Sequence, residues 1–87
     1  MKWKIIYTSQ AKKDSKKVLA SGLKPKAKVL LEILEIKPYQ NPPEYKKLVG
    51  DLSNAYSRRI NFQHRLVYQV LENIKTVKVL RLWSHYE

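Results

Sequence analysis

Cysteine is absent from this 87-residue chain, and acidic residues, glycine and long apolar runs are scarce. Without a thiol there can be no disulfide framework and no thiolate metal site, a composition that suits a reducing cytosol. With only two glycines no Gly-rich phosphate loop can form. The apolar stretch in the opening MKWKIIYTSQ is too short for a signal-peptide core or a membrane span, so a soluble, cytoplasmic protein with no membrane partner is expected. The two histidines lack metal-ligand spacing and have no carboxylate cluster beside them, so neither a metal nor another cofactor is expected. What is abundant is positive charge: 18 Lys plus Arg against 7 Asp plus Glu leave a net charge of +11. A polyanion or an acidic protein is the natural counterpart.

The length fits one domain over residues 1–87, with a small core. Residues 3–8 place Trp3, Ile5 and Tyr7 on one side and Lys4, Ile6 and Thr8 on the other, with the β-branched and aromatic content of a strand. Thr8 or Ser9 can cap a helix whose apolar stripe is Ala11, Val18, Leu19 and Leu23, with Gly22 in the left-handed position that ends it. A second helix starts at Pro25, shows Ala27, Leu30, Leu31 and Leu34 on one face, and stops at Pro38. After the Pro-rich connector at residues 37–43, strands are expected at 45–49, 55–61, 65–71 and 74–83. Gly50-Asp51, Ser53-Asn54 and Glu72-Asn73 mark the turns. The order gives an α+β fold in which an N-terminal strand precedes a two-helix hairpin packed on a mainly antiparallel twisted sheet.

A three-residue loop of Phe62, Gln63 and His64 would pair Asn61 with Arg65, Ile60 with Leu66, Arg59 with Val67 and Arg58 with Tyr68. Tyr56, Ile60, Leu66, Tyr68 and Val70 then share an apolar face, while Ser57, Arg59, Asn61 and Arg65 share the other. Two guanidiniums on one face repel unless an anion lies between them, and their planar donors match phosphate oxygens. They also suit the added negative charge of a pentacoordinate transition state. His85 brings an imidazole, the side chain best suited to protonating a departing oxygen at neutral pH. His64, at the loop tip, reads as a turn residue. Trp83 has two roles open to it, stacking on unpaired bases or packing in the core. Arg58 and Lys47 are expected to join it in contacting RNA. RNA is favoured over DNA because its 2′-OH supplies the nucleophile that DNA cleavage commonly obtains through metals held on carboxylates.

GDLSNAYSRRINFQHRLVYQV and the closing WSHYE resemble the YoeB/Txe group within the RelE-like toxins of bacterial type II toxin–antitoxin systems, and the similarity runs along essentially the whole chain. The resemblance implies a microbial-ribonuclease-like fold and ribosome-dependent cleavage of mRNA in the A site. That cleavage is metal-independent and leaves a 2′,3′-cyclic phosphate and a 5′-OH. It also implies silencing by an antitoxin of the YefM/Axe type; a strand or helix of this acidic partner is expected to wrap the groove between helices and sheet and to cover or displace the C-terminal His85-Tyr86 segment. A homodimer is left open. Carried over by position, the arginine pair is Arg59 and Arg65, the general acid is His85, and the residue orienting substrate is Tyr86.

The general base departs from the family pattern, because Lys46 stands where an acidic residue is usual and Glu44 lies two positions earlier. Lys46 could act as base with its pKa depressed by the arginines, Glu44 could substitute, or catalysis could be attenuated. Two other functions remain open at this stage. One is a same-fold toxin with another target, such as a ParE-like gyrase inhibitor; the other is a non-catalytic RNA- or ribosome-binding module.

Overall fold

The computed structural model describes residues 2–48 and 54–84; the expected turns at Gly50-Asp51 and Ser53, together with His85 and Tyr86, lie outside the described residues. Strand β1 (Lys4–Tyr7) is followed by helices α1 (Ser9–Ala20) and α2 (Lys24–Ile36), then by β2 (Tyr45–Lys47), β3 (Ala55–Arg59), β4 (Arg65–Leu71) and β5 (Thr76–Ser84). The strands form one five-stranded sheet in the order β1-β5-β4-β3-β2. Only β1 runs parallel to its neighbour; every other pairing is antiparallel.

Local chemistry explains the helix boundaries. Thr8 is the N-cap of α1, its hydroxyl oxygen accepting from the Ala11 N–H at 3.0 Å and donating to the Leu80 carbonyl at 3.0 Å. One side chain therefore starts the helix and fastens it to β5. At the far end Leu23 N–H bonds the Val18 carbonyl and Gly22 N–H bonds that of Leu19, a Schellman closure with Gly22 at φ 78. Pro25 sits in the first turn of α2, where its missing N–H costs nothing, although the helix begins one residue earlier than the proline suggests.

Ala11 and Val18 of α1 and Ala27, Leu30 and Leu34 of α2 pack with Ile60, Leu66, Tyr68, Val70, Val77, Val79 and Leu82 in one cluster. Leu19, expected in the apolar stripe, is 56% exposed instead. The buried face of α1 turns toward Asp14, whose carboxylate is wholly enclosed. Asp14 Oδ2 accepts from Arg81 Nε at 2.8 Å and from the Leu82 and Trp83 amides at 3.0 and 3.3 Å, and Gln10 Nε2 donates to Oδ1 at 3.1 Å. These bonds outweigh the cost of burial and hold the carboxyl below its ordinary range.

The central hairpin differs from expectation by two residues of register. Arg59 pairs with Arg65, Arg58 with Leu66, Ser57 with Val67 and Tyr56 with Tyr68, leaving Ile60–His64 as the loop. The longer loop is favoured because Asn61 folds it internally: Oδ1 accepts from the Gln63 and His64 amides at 2.9 and 2.8 Å, and Ile60 N–H bonds the His64 carbonyl at 2.8 Å. A shift of two preserves the alternation of faces, so the expected division between apolar and arginine-bearing sides survives. His64 is not an exposed tip residue. It is buried, its ring stacked on Trp83 with centroids 3.7 Å apart. Strands β2 and β3 end earlier than expected, and Glu72–Ile74 form a short 3₁₀ turn before β5.

Candidate active site

On the sheet face away from the helices, Lys46 lies opposite Ser57, and Arg59 lies opposite Arg65. Pro43, Glu44, Tyr45, Lys46, Ser57, Arg59 and Arg65 line a groove of about 540 Å³. Arg65 Nη1 donates to Ser57 Oγ at 3.4 Å, which steadies the guanidinium over the strand, while Arg59 is exposed. Among the described residues no carboxylate lies within 4.0 Å of Lys46, Arg59 or Arg65; the ion pairs are Lys2–Glu35 and Arg81–Asp14. Three cations thus converge with their charge unspent, a geometry that invites an anion with several oxygens. Glu44 is the carboxylate on the groove wall, immediately before β2 begins. No group of three His, Cys, Asp or Glu side chains among the described residues could hold a metal ion.

Ser84, the residue before His85, pairs with Arg65 across β4 and β5. His85 and Tyr86 themselves lie outside the described residues.

The expected RNA contacts of Arg58, Lys47 and Trp83 are not what their surroundings favour. Arg58 is 0% exposed. Its Nε donates to the Tyr68 hydroxyl at 3.0 Å, Nη1 to the Pro43 carbonyl at 2.5 Å and Nη2 to the Pro38 carbonyl at 3.0 Å, and its guanidinium carbon lies 4.8 Å from the centre of the Tyr45 ring. A buried cation with no counter-ion among the described residues is tolerable only with such donors satisfied and an aromatic face beneath it. By clamping both ends of the Pro38–Pro43 connector, Arg58 fixes where Glu44 and Tyr45 stand. Lys47 pairs with Tyr56 and so falls on the opposite face from Lys46. Trp83 takes the packing role, against the core and the His64 ring.

Two positions escaped the sequence reading: Asp14 and Arg81. The signal was present in Asp14, an acidic residue on the same helical stripe as Ala11 and Val18, where charge is costly unless bonded.

Two helices packed on a five-stranded mixed sheet are the fold of the RelE-like toxins. The chain belongs to the YoeB-like toxin family of bacterial type II toxin–antitoxin systems, whose family model matches residues 7–86. A YoeB/ParE toxin from Agrobacterium tumefaciens superposes with a TM-score of 0.84 at 25% identity, covering 95% of this chain and 99% of that one. The YoeB–YefM complex from Staphylococcus aureus gives 0.78 at 30% identity over 99% of this chain and 100% of the other. The YoeB dimer from Staphylococcus aureus gives 0.77 at 29% over the same shares. Among curated proteins none matches the chain significantly.

Proposed function

We propose that this toxin is a metal-independent endoribonuclease that cleaves mRNA in the ribosomal A site and so arrests translation in the cytoplasm. The observation that carries the reading is the convergence of Lys46, Arg59 and Arg65 on one groove with Glu44 on its wall. A phosphodiester seated there places its non-bridging oxygens against the two guanidiniums. Glu44 accepts the 2′-OH proton, the freed oxygen attacks phosphorus, and a 2′,3′-cyclic phosphate forms as the P–O5′ bond breaks. His85 donates a proton to the leaving 5′-oxygen, and Tyr86 orients the substrate. Lys46 adds a third positive charge for the transition state and is not required to give up a proton.

Primer extension on mRNA from a translating extract, with analysis of the 3′ ends, tests the reading. Cut A-site codons ending in cyclic phosphate are expected. Arg59→Ala or Arg65→Ala should slow cutting about 10²–10³-fold, and Glu44→Gln by about 10²–10⁴-fold. Cleavage that survives His85→Ala, or that needs Lys46 and not Glu44, overturns the assignments. Uncut mRNA with trapped gyrase would point to a ParE-like target, and binding without cutting to a ribosome-binding module.

The partner is proposed to be an acidic YefM-type antitoxin, as in the Staphylococcus aureus complex. An apolar trough of about 220 Å³ between the helices, with Val18, Leu19, Ala27 and Leu31 inside and Lys24 and Lys28 beside it, fits an amphipathic acidic segment. Self-association has a precedent in the Staphylococcus aureus YoeB dimer.

A further inference from the structure

Phe62 is the most exposed large apolar side chain among the described residues, at 92%. Leaving a phenyl ring in water forfeits the free energy of burying it, and the loop that carries it is built so that the ring stays there. Asn61 Oδ1 accepts from the amides of Gln63 and His64, the His64 carbonyl accepts from Ile60, and Ile60 and His64 are buried on either side of the tip. The stack of His64 on Trp83 ties the loop to β5. Phe62 is therefore displayed from an ordered turn, with Ile60 and His64 anchoring the segment and the ring excluded from the core.

Its position relative to charge narrows the ligand. Phe62 is three residues from Arg59 and three from Arg65, which face each other at the mouth of the hairpin. It thus lies within about 10 Å of both backbones. A polyanion gripped by those guanidiniums has its neighbouring groups within reach of the ring. When the polyanion is single-stranded RNA, those groups are unpaired bases, each with a π face on which an aromatic side chain can stack. An ordered ring makes that contact without the entropy of fixing a mobile loop.

We propose that Phe62 is a positioning residue that stacks on an mRNA base adjacent to the phosphodiester held by Arg59 and Arg65. The inference rests on the nuclease reading above and adds to it a source of site preference. Stacking holds the nucleotide chain at a fixed offset from the groove, so that one linkage is presented for attack; no bond is made or broken by the ring.

The test uses ribosomes programmed with an mRNA that carries 2-aminopurine beside the cleavage site and a 2′-O-methyl group at the reacting ribose, alongside the cleavable message. Wild-type protein should quench the 2-aminopurine on binding. Phe62→Ala should abolish the quenching, slow cutting about 5- to 100-fold and spread the cut sites, with thermal stability unchanged. Phe62→Trp should restore both quenching and site choice, which a merely structural role would not do. Wild-type cutting that Phe62→Ala leaves unaltered in rate and position overturns this inference alone. A wild-type protein that neither binds nor cuts the message removes the nuclease reading and this inference with it. Loss of affinity for an acidic YefM-type antitoxin, with quenching intact, would assign the ring to the protein partner and also overturn the proposal.

Discussion

Arg58 and Arg59 are adjacent in sequence and have opposite fates. The strand's alternation sends Arg59 to the groove and Arg58 into the interior, where its donors meet the Tyr68 hydroxyl and the carbonyls of Pro38 and Pro43. Replacing Arg58 by Met keeps much of the apolar stem but leaves buried carbonyls without donors. A loss of about 2–4 kcal/mol in urea unfolding is expected. Activity should fall further than stability explains, because the connector that holds Glu44 in place is released. Lysine at position 58 should rescue little, since one ammonium cannot reproduce a planar fork bonded on three sides. Full stability in either variant would show that the connector is held by other contacts.

At the scale of elements, ends and loops decide more than strand interiors. The α1–α2 turn depends on Gly22 at φ 78, and a Cβ added there meets nothing within 4 Å. Gly22→Ala should therefore cost only the backbone strain of a left-handed alanine, about 1–2 kcal/mol, read as a shift in the denaturant midpoint with an unchanged slope. The β3–β4 hairpin is the counterpart. Its faces were legible because alternation is insensitive to a register shift of two, whereas the loop length was not, because the side-chain bonds of Asn61 decide it.

Across the whole molecule, Asp14 joins α1 to β5 through Arg81 and two backbone amides. Its folded-state pKa is lowered, so the unfolded chain takes up this proton first as pH falls. The stability it contributes is then present above the ordinary carboxylate range near 4 and is lost as pH drops through the folded value. Asp14→Asn should flatten that acid limb in thermal unfolding scans and destabilise the protein near neutrality. At the alkaline end, burial pushes the Tyr68 phenol up to about 12, with Arg58 opposing. Stability should accordingly decline between pH 10 and that value, as only the unfolded chain ionises there. The net charge of +11 governs association. Binding of single-stranded RNA should weaken steeply with salt, and Arg59→Ala should reduce the slope of log K against log salt by about 0.7. An unchanged slope would mean that Arg59 touches no phosphate.

The order of elements, the apolar face of α2, the antiparallel run of strands and the shared face of Arg59 and Arg65 were determined by sequence alone, because each follows from periodicity or from a residue with few backbone options. Only the tertiary structure decided that Arg58 is interior, that His64 stacks on Trp83, that Asp14 is buried, and that Glu44 and Lys46 border one groove. Those outcomes depend on which hydrogen-bonding groups are brought within about 3 Å of one another by distant segments, and local sequence patterns carry no record of that proximity.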